Sequence, residues 1–314
     1  MHVRVARTLP REAAELPWHP VLERIGRTPL VELQRIPGGG PRVFAKVESA
    51  NPGGSVKDRA ARAIVTEAFR AGELPGKRLL DSTSGNTGIA YAMLGAALGF
   101  GVTLCVPASA SPERRRILRA YGCEVVETDA LEGSDGAIVR ARELLAERPR
   151  VYFHADQYSN PANPAAHERT TGPEILDELR GQRLDLFVAG LGTSGTFVGV
   201  SRFLRRASPL TRLVSVEPDA PFHGLEGLKH MATAIVPAIY DPSLADLRIG
   251  VRTGEAQEMT RRLSREEGLF VGPSSGAAVV AAIRVARETG ARTVAVVLPD
   301  GGDRYLSDRF WEAA

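Results

Sequence analysis

Residues 78–107 read RLLDSTSGNTGIAYAMLGAALGFGVTLCVP, and they show the unit from which most of the chain is built. Two segments, Arg78–Ser82 and Val102–Pro107, are short and largely apolar, as expected for buried parallel strands. Between them, a polar loop leads into an alanine-rich helix predicted over Gly85–Leu98. A strand, a helix and a second strand in this order predict one unit of a parallel sheet.

The same alternation extends over most of the sequence. Further strands are predicted at Val43–Glu48, Glu124–Thr128, Val151–His154, Leu184–Ala189, Arg212–Glu217, Leu269–Val271 and Thr293–Leu298. Further helices are predicted at Lys57–Ala71, Pro112–Tyr121, Gly136–Ala146, Pro173–Leu179, Thr196–Ala207, Ala256–Glu267 and Ser275–Glu288. This order predicts an α/β fold with helices on both faces of a parallel sheet.

The size and composition are those of an ordinary globular protein. A chain of 314 residues is long enough for about two domains at roughly 150 residues each. A hydrophobic content of 43% and a charged content of 25% argue against a disordered or collagen-like chain. The formal net charge of +3 creates no strong field for nucleic acid, so nucleic acid is not an expected partner.

A membrane location is not expected either. The uncharged stretch 82–112 is long enough to span a bilayer. However, it contains five glycines between Gly85 and Gly101, which fit a buried helix, a turn and a buried strand better. The N-terminal residues lack the apolar segment of a signal peptide, and two cysteines cannot build a disulfide framework. We therefore expect a cytoplasmic protein.

One lysine stands out, because the whole chain contains only four. Lys57 follows the turn 51–56 at a predicted helix start. The N-terminus of a helix carries partial positive charge and disfavours another cation. A lysine at this point is expected to have a lowered pKa and a neutral amine, as Schiff-base chemistry requires. The alternative is a solvated surface lysine.

Two polar loops at helix starts are typical of anion-binding sites. The loop Thr83–Gly88 (TSGNTG) offers hydroxyls, an amide and backbone N–H groups that suit a carboxylate. The loop Gly190–Thr196 (GLGTSGT) combines glycines and hydroxyls that suit a phosphate. It also matches G-x-G-x-x-G, and Glu217 follows at the distance of a ribose ligand, so a dinucleotide site is an alternative.

The remaining signals are weaker. The loop Gly272–Gly276 (GPSSG) also connects a predicted strand to a helix, and its serines can contact a ligand ring or cap the helix. The arginine clusters 114–116 and 205–206 lie on predicted helices and are expected to be solvated. The histidines do not share the spacing of metal ligands, so no metal is expected.

Taken together, these loops resemble those of the cysteine synthase and cystathionine β-synthase family of pyridoxal-phosphate enzymes. Seven motifs occur in the order of that family: IGRTPLVEL, NPGGSVKDR, TSGNTG, DQYSNPANP followed by TTGPEIL, GLGTSGT, GPSSGAA and LPDGGDRYLS. The resemblance extends from Ile25 over nearly the whole chain. It implies fold type II, in which two parallel-sheet domains of three layers are arranged as in the tryptophan synthase β subunit.

The resemblance also implies a role for each loop. Lys57 is similar to the lysine that forms the Schiff base with pyridoxal phosphate and then acts as the catalytic base. Asn86 resembles the amide that binds the cofactor ring oxygen, and Ser274 the serine that faces the pyridine nitrogen. The loop for the cofactor phosphate corresponds to Gly192, Thr193, Ser194, Gly195 and Thr196. The pocket for the substrate α-carboxylate corresponds to Thr83, Ser84, Gly85, Asn86, Thr87 and Gln157.

The family chemistry implies a β-replacement that makes L-cysteine. O-acetylserine or O-phosphoserine loses its β-substituent, and sulfide or another sulfur donor adds to the resulting aminoacrylate. Formation of cystathionine from serine and homocysteine is the alternative within the family. An NAD-dependent oxidoreductase and a catalytically silent scaffold are more remote alternatives.

One stretch points to a branch of the family. Residues 227–237 read GLKHMATAIVP and resemble the B-type cysteine synthases and the O-phosphoserine-using branch, which place a basic residue here. We expect Lys229 to face the mouth of the site and to attract an anionic leaving group or sulfur donor. A solvated loop lysine is the alternative.

The resemblance further implies a division of the chain and its partners. We expect one domain over 48–160, with a mobile lid at about 111–150, and a cofactor domain built from 1–47 and 161–314. The family suggests a homodimer, and a sulfur-carrier protein is a possible further partner.

Overall fold

The computed structural model describes residues 15–83 and 85–312 of the chain. Its strands are β1 (Leu30–Glu32), β2 (Arg42–Val47), β3 (Arg78–Ser82), β4 (Val102–Pro107), β5 (Glu124–Thr128), β6 (Tyr152–His154), β7 (Leu186–Gly190), β8 (Arg212–Pro218), β9 (Leu247–Val251) and β10 (Thr293–Leu298). Its helices are α1 (Pro20–Glu23), α2 (Lys57–Arg70), α3 (Asn86–Leu98), α4 (Pro112–Ala120), α5 (Gly133–Glu147), α6 (Ala162–Arg169), α7 (Thr171–Glu178), α8 (Gly195–Ala207), α9 (Thr253–Glu267) and α10 (Pro273–Thr289).

The smaller sheet has the strand order β5-β4-β3-β6, and all its pairs are parallel. Neighbouring side chains in a strand point to opposite faces. In β3, Leu79 therefore packs with the apolar side chains of α2 and α3, whereas Leu80 packs against α5. Helices thus cover both faces, which explains why these strands are apolar without alternation.

The larger sheet has the order β1-β2-β10-β7-β8-β9. Its strands pair in parallel, except that β1 runs antiparallel to β2 at one edge. In β10, Val294 and Val296 face the core under α9 and α10, and Ala295 and Val297 face the core under α7 and α8. This sheet is also the middle of three layers.

The predicted α/β class with two parallel-sheet domains is confirmed. The bounds of β3, β4, β5 and β10 agree with the sequence predictions. The prediction of a strand at Leu269–Val271 is wrong, because only Val271 forms an isolated bridge, to Gly301. This stretch is a loop that connects α9 to α10, and it buries Val271 while Phe270 stays exposed.

Four elements escaped the sequence analysis. Helix α1 has only four residues and strand β1 only three, and β9 is an edge strand with the polar residue Arg248 next to its start. Helix α6 contains an asparagine and a proline, Asn163 and Pro164, which normally indicate a turn. It forms because it packs closely against α2 and α8, so tertiary contacts outweigh its low intrinsic propensity.

The uncharged stretch 82–112 contains the buried helix α3 and the buried strand β4. Within residues 15–83 and 85–312, no helix has the length and apolar character needed to cross a membrane.

The division of the chain at residues 48 and 160 stays a prediction. Leu22 and Ile25 precede that boundary and contact the core of the smaller sheet.

Two leucines in one region provide a test of the core of the larger sheet. Leu213 in β8 is fully buried, whereas Leu210 is 72% exposed. We expect Leu213→Ala to lower the free energy of unfolding by about 2–5 kcal/mol, because it removes buried methyl groups and leaves a cavity. Leu210→Ala should change it by no more than about 0.5 kcal/mol. Denaturant unfolding of both variants measures this, and equal losses would contradict the assigned burial.

Candidate active site

Four helices begin at the cleft between the two sheets: α2 at Lys57, α3 at Asn86, α8 at Gly195 and α10 at Pro273. Two neighbouring cavities occupy the cleft. The first, of about 520 Å³, is lined by Lys57, Thr83, Asn86, Thr87, Arg114, Ser134, Gln157, Tyr158, Gly192, Thr193, Gly227, Leu228 and Lys229. The second, of about 430 Å³, is lined by Val56, Lys57, Asn86, Ala189, Gly190, Gly192, Thr196, Glu226, Gly227, Leu228, Ser274, Val297, Pro299 and Asp300.

Lys57 lies where the two cavities meet. Burial lowers the pKa of its amine, and the carboxylates of Asp300 and Glu48 oppose that shift only in part. The lowered pKa agrees in direction with the sequence prediction, although burial is the main cause. A half-buried lysine with a lowered pKa has the properties of an amine that reacts in its neutral form.

A buried ion cluster holds the first turns of α2 in place. The Arg59 guanidinium donates to Glu48 at 2.8 Å and to Glu174 at 2.7 Å. Burial raises the pKa of Glu48, but the charge and hydrogen bonds of Arg59 outweigh this and leave that pKa lowered. The cluster ties α2 to β2 and α7 directly behind Lys57, and no motif in the sequence indicated it.

The carboxylate loop follows β3. Thr83 Oγ1 accepts hydrogen bonds from the backbone N–H groups of Gly85 at 2.9 Å and Gly88 at 3.2 Å. Thr87 Oγ1 donates to Gln157 Oε1 at 2.6 Å, and Gln157 Nε2 donates to Ser82 O at 2.7 Å. The structure thus brings the predicted loop and Gln157 together. Ser84 lies outside the described residues.

The predicted phosphate loop, 192–196, leads from β7 into α8. Ser194 has a left-handed backbone with φ +69°. Within the described part of the chain, its buried Oγ has no hydrogen-bond partner. A free hydroxyl at the start of a helix suits an anion, because the helix dipole carries partial positive charge there. The residues present therefore fit a phosphate group.

His167 supports this loop and escaped the sequence analysis. Its Nε2 lies 3.3 Å from Thr196 Oγ1, and its Nδ1 lies 2.9 Å from Thr171 Oγ1. Burial, with the Arg59 charge as a second cause, lowers the pKa of His167 to about 3. A neutral imidazole therefore holds the threonine of the phosphate loop. No motif of the sequence indicated this contact.

The predicted ring partner lies in the second cavity. Ser274 in the first turn of α10 is 4% exposed and lines this cavity together with Lys57 and Thr196. Its neighbour Ser275 has a buried Oγ without a partner among the described residues. Two hydroxyl side chains thus line the second cavity, Ser274 from the start of α10 and Thr196 from the start of α8.

Lys229 lines the first cavity and is 6% exposed, which contradicts the alternative of a solvated loop lysine. Its Nζ donates to Asp135 Oδ1 at 2.8 Å and to Ser134 Oγ at 3.2 Å, and lies 5.1 Å from the centre of the Tyr158 ring. Burial raises the pKa of Asp135, but the hydrogen bonds from Lys229, the Ile235 backbone and Ser134, together with the Lys229 charge, outweigh burial and leave that pKa lowered.

The expectation that the arginines at 114–116 are all solvated is wrong for Arg114. It is 2% exposed and forms an ion pair with Glu226, and its guanidinium carbon lies 4.8 Å from the centre of the Tyr305 ring. Helical periodicity places one arginine of three on the inner face of α4, which the sequence cluster alone did not indicate.

Comparisons with known proteins agree with this geometry. The family model described as pyridoxal-phosphate dependent enzyme matches residues 21–300. Cysteine synthase from Aquifex aeolicus is 46% identical over 296 residues, which cover 91% of this chain and 90% of that protein.

Two solved structures are also similar. Cysteine synthase from Entamoeba histolytica has a TM-score of 0.88 at 35% identity, covering 99% of this chain and 95% of that chain. The O-acetylserine dependent cystathionine β-synthase from Helicobacter pylori has a TM-score of 0.85 at 36% identity, covering 92% of this chain and 97% of that chain.

The fold, the two cavities and the family match define a pyridoxal-phosphate-dependent enzyme of fold type II. Fold similarity alone would not identify the reaction. The identity to cysteine synthases over most of the length is more specific, and this chain belongs to the cysteine synthase family.

The lowered pKa of Lys57 can be measured on the cofactor-free protein. An amine with a lowered pKa becomes neutral, and hence nucleophilic, at a lower pH than an ordinary lysine. We expect the pH midpoint for labelling of Lys57 by an amine-selective reagent to lie below that of the same lysine in the unfolded chain. Peptide mass spectrometry resolves the four lysines. Equal midpoints in the two states would contradict the assignment.

Proposed function

We propose that this protein makes L-cysteine by β-replacement on an O-activated serine, with Lys57 as the catalytic base and pyridoxal phosphate as cofactor. The observation that carries the proposal is the position of one amine with a lowered pKa between two anion-binding loops. Pyridoxal phosphate, when bound, supplies the electron sink for the cleavage of bonds at the substrate α-carbon.

The first cavity is suited to the substrate. Thr83, Asn86 and Thr87 line it beside Lys57, and so does Gln157 from the loop after β6. An α-carboxylate bound at the start of α3 gains hydrogen bonds and the favourable field of the helix N-terminus. A carboxylate bound there also holds the substrate α-carbon in the cavity that contains the Lys57 amine. The α-proton then has only a short distance to move to that amine.

Lys57 has the properties of a base that takes and returns this proton. Its neutral amine accepts the α-proton, and the carboxylates of Asp300 and Glu48 then stabilise the ammonium. In the second cavity, residues 192–196 would hold the cofactor phosphate and Ser274 would face the ring nitrogen. A neutral serine there would leave that nitrogen largely unprotonated, which would favour β-elimination over routes that need a long-lived carbanion.

Lys57→Ala should abolish cysteine formation. Loss of the base and of the covalent link is expected to lower kcat by about 10³-fold or more. Lys77→Ala, which removes a partly exposed lysine paired with Glu73, should leave the rate unchanged. Cysteine release from O-acetylserine and from O-phosphoserine with sulfide measures this. Unimpaired turnover by the Lys57 variant would contradict the proposal.

A second candidate is cystathionine formation, since a structurally similar protein is an O-acetylserine dependent cystathionine β-synthase. The same site chemistry serves both reactions, because they differ in the thiol that adds. Parallel assays with sulfide and with homocysteine, on O-acetylserine and on serine, separate them. A higher kcat/KM with homocysteine than with sulfide would favour the second candidate.

Lys229 is proposed to recognise the anionic group of a phosphorylated donor or of an anionic sulfur donor. Its ammonium lines the substrate cavity, and Asp135 compensates its charge only from one side. A substrate phosphate that replaces Asp135, or that binds Lys229 together with Asp135, keeps the buried ammonium paired. The position of Lys229, in the cavity that Thr83 and Thr87 also line, supports the predicted B-type branch.

Lys229→Ala should raise KM for O-phosphoserine by about tenfold, because it removes a charge-assisted hydrogen bond to the phosphate. KM for O-acetylserine should change by less than about twofold, and Lys229→Arg should retain most of the affinity. Steady-state kinetics with both donors measure this. Equal changes for the two donors would show that Lys229 has only a structural role.

The homodimer, the cytoplasmic location, the mobile lid at about 111–150 and delivery of sulfur by a carrier protein are proposals that follow from the family. Several contacts connect the predicted lid to the opposite side of the cleft, among them the ion pairs Arg114–Glu226 and Lys229–Asp135. They support a lid that closes over the bound substrate and excludes water.

A further inference from the structure

The motif LPDGGDRYLS, at residues 298–307, lies at the cleft, and the roles described so far use only the charge of Asp300 and the ring of Tyr305. Its backbone joins the two loops that carry Lys57 and Ser274. Val56 N donates to Pro299 O at 2.8 Å, and Ser55 and Asp300 form an isolated bridge. On the other side, Gly272 N donates to Asp300 O at 3.3 Å. The backbone of the motif therefore lies between the two loops and forms contacts with both.

Two charged side chains of this motif hold the amide of Asn86 from opposite ends. Asn86 Nδ2 donates to Asp300 Oδ2 at 2.7 Å, and the Arg304 guanidinium donates to Asn86 Oδ1. A carboxylate only accepts hydrogen bonds and a guanidinium only donates them. The amide therefore has one favourable orientation, with its oxygen towards Arg304 and its nitrogen towards Asp300.

Both charged side chains are fixed in turn. Asp300 is 1% exposed and accepts a second hydrogen bond, from Tyr305 Oη at 2.7 Å. Arg304 is 3% exposed and also donates to Gly53 O in the loop before Lys57. These contacts hold the two side chains in place, because removing a partner from a buried charged group is strongly destabilising.

Glycines in the two neighbouring motifs make room for these side chains. A Cβ at Gly54, where φ is +78°, would overlap the Arg304 guanidinium. A Cβ at Gly272 would overlap Asp300 Oδ1. The glycines of NPGGSVK and GPSSG thus have a packing role towards Asp300 and Arg304, in addition to any role in ligand binding.

We propose that Asp300 and Arg304 are positioning residues that hold the Asn86 amide with its nitrogen facing the cofactor ring. An amide nitrogen has two N–H bonds. Asp300 takes one of them, which leaves the second for the oxygen of the ring in the cavity that Asn86 and Asp300 both line. This inference rests on the proposed role of Asn86 as the residue that binds the cofactor ring oxygen.

The test compares affinity for pyridoxal phosphate in cofactor-free protein and the visible absorption band after loading. Asp300→Asn keeps the shape but offers both a donor and an acceptor, so that the Asn86 amide can turn over. We expect its dissociation constant for pyridoxal phosphate to rise about tenfold, with a shifted band. Arg304→Gln should act in the same direction from the other end. Asp303→Asn, an exposed acidic residue of the same motif, is the matched control and should leave both values unchanged.

A double-mutant cycle separates positioning from general stabilisation. In the Asn86→Ala background, Asp300→Asn should add less than about twofold to the dissociation constant, since the side chain it positions is gone. The full tenfold effect in that background would overturn the inference, as would an unchanged affinity and band in both Asp300→Asn and Arg304→Gln. Thermal unfolding of each cofactor-free variant verifies that the chain is folded.

The same series distinguishes the inference from the proposed function. If Asn86→Ala alone leaves affinity and band unchanged, Asn86 does not bind the cofactor ring and both statements are wrong. If Asn86→Ala weakens binding but neither Asp300→Asn nor Arg304→Gln does, only the positioning role is wrong.

Discussion

The two sheets of this protein direct helix N-termini into one cleft, and this constraint sets the chemistry of the site. Helices α2, α3, α8 and α10 all begin there. The positive ends of these helix dipoles favour anions, which suits the carboxylate and the phosphate proposed to bind at the starts of α3 and α8. The same positive field and the burial both disfavour a protonated Lys57. The same arrangement of helix starts therefore favours bound anions and a neutral Lys57 amine.

The site keeps several polar groups without partners, and the surrounding structure compensates for them. In the described part of the chain, Ser194 Oγ, Ser275 Oγ and Asp300 Oδ1 are buried without a hydrogen bond. Such groups destabilise the fold unless a ligand or water satisfies them. The buried pair of Glu48 and Arg59 fixes α2 behind them. The cleft is thus preorganised for a ligand, and binding of the cofactor stabilises the folded state.

The sequence predicted the α/β architecture and most of the loops because both depend on local patterns. Apolar runs without alternation identified β3, β4 and β10, and glycine-rich loops at helix starts identified the segments around Asn86 and Gly195. The contacts that support these loops are nonlocal. His167 reaches Thr196 across 29 positions, and Asp300 reaches Asn86 across 214. The periodicity and spacing of a sequence do not show which charged side chain, far away along the chain, fills the space beside a glycine. Arg114 shows the same limit, since its burial depends on a face of α4 that only the fold defines.

The lysine that carries the cofactor can be located directly. The cofactor-loaded protein is reduced with borohydride, digested and analysed by peptide mass spectrometry. Only four lysines are present, at positions 46, 57, 77 and 229, so the assignment is unambiguous. The structure predicts the pyridoxyl modification on Lys57 alone, and in stoichiometric amount. Modification of Lys229 or Lys46 instead, or a protein that acquires no modification after loading, would contradict the site described above.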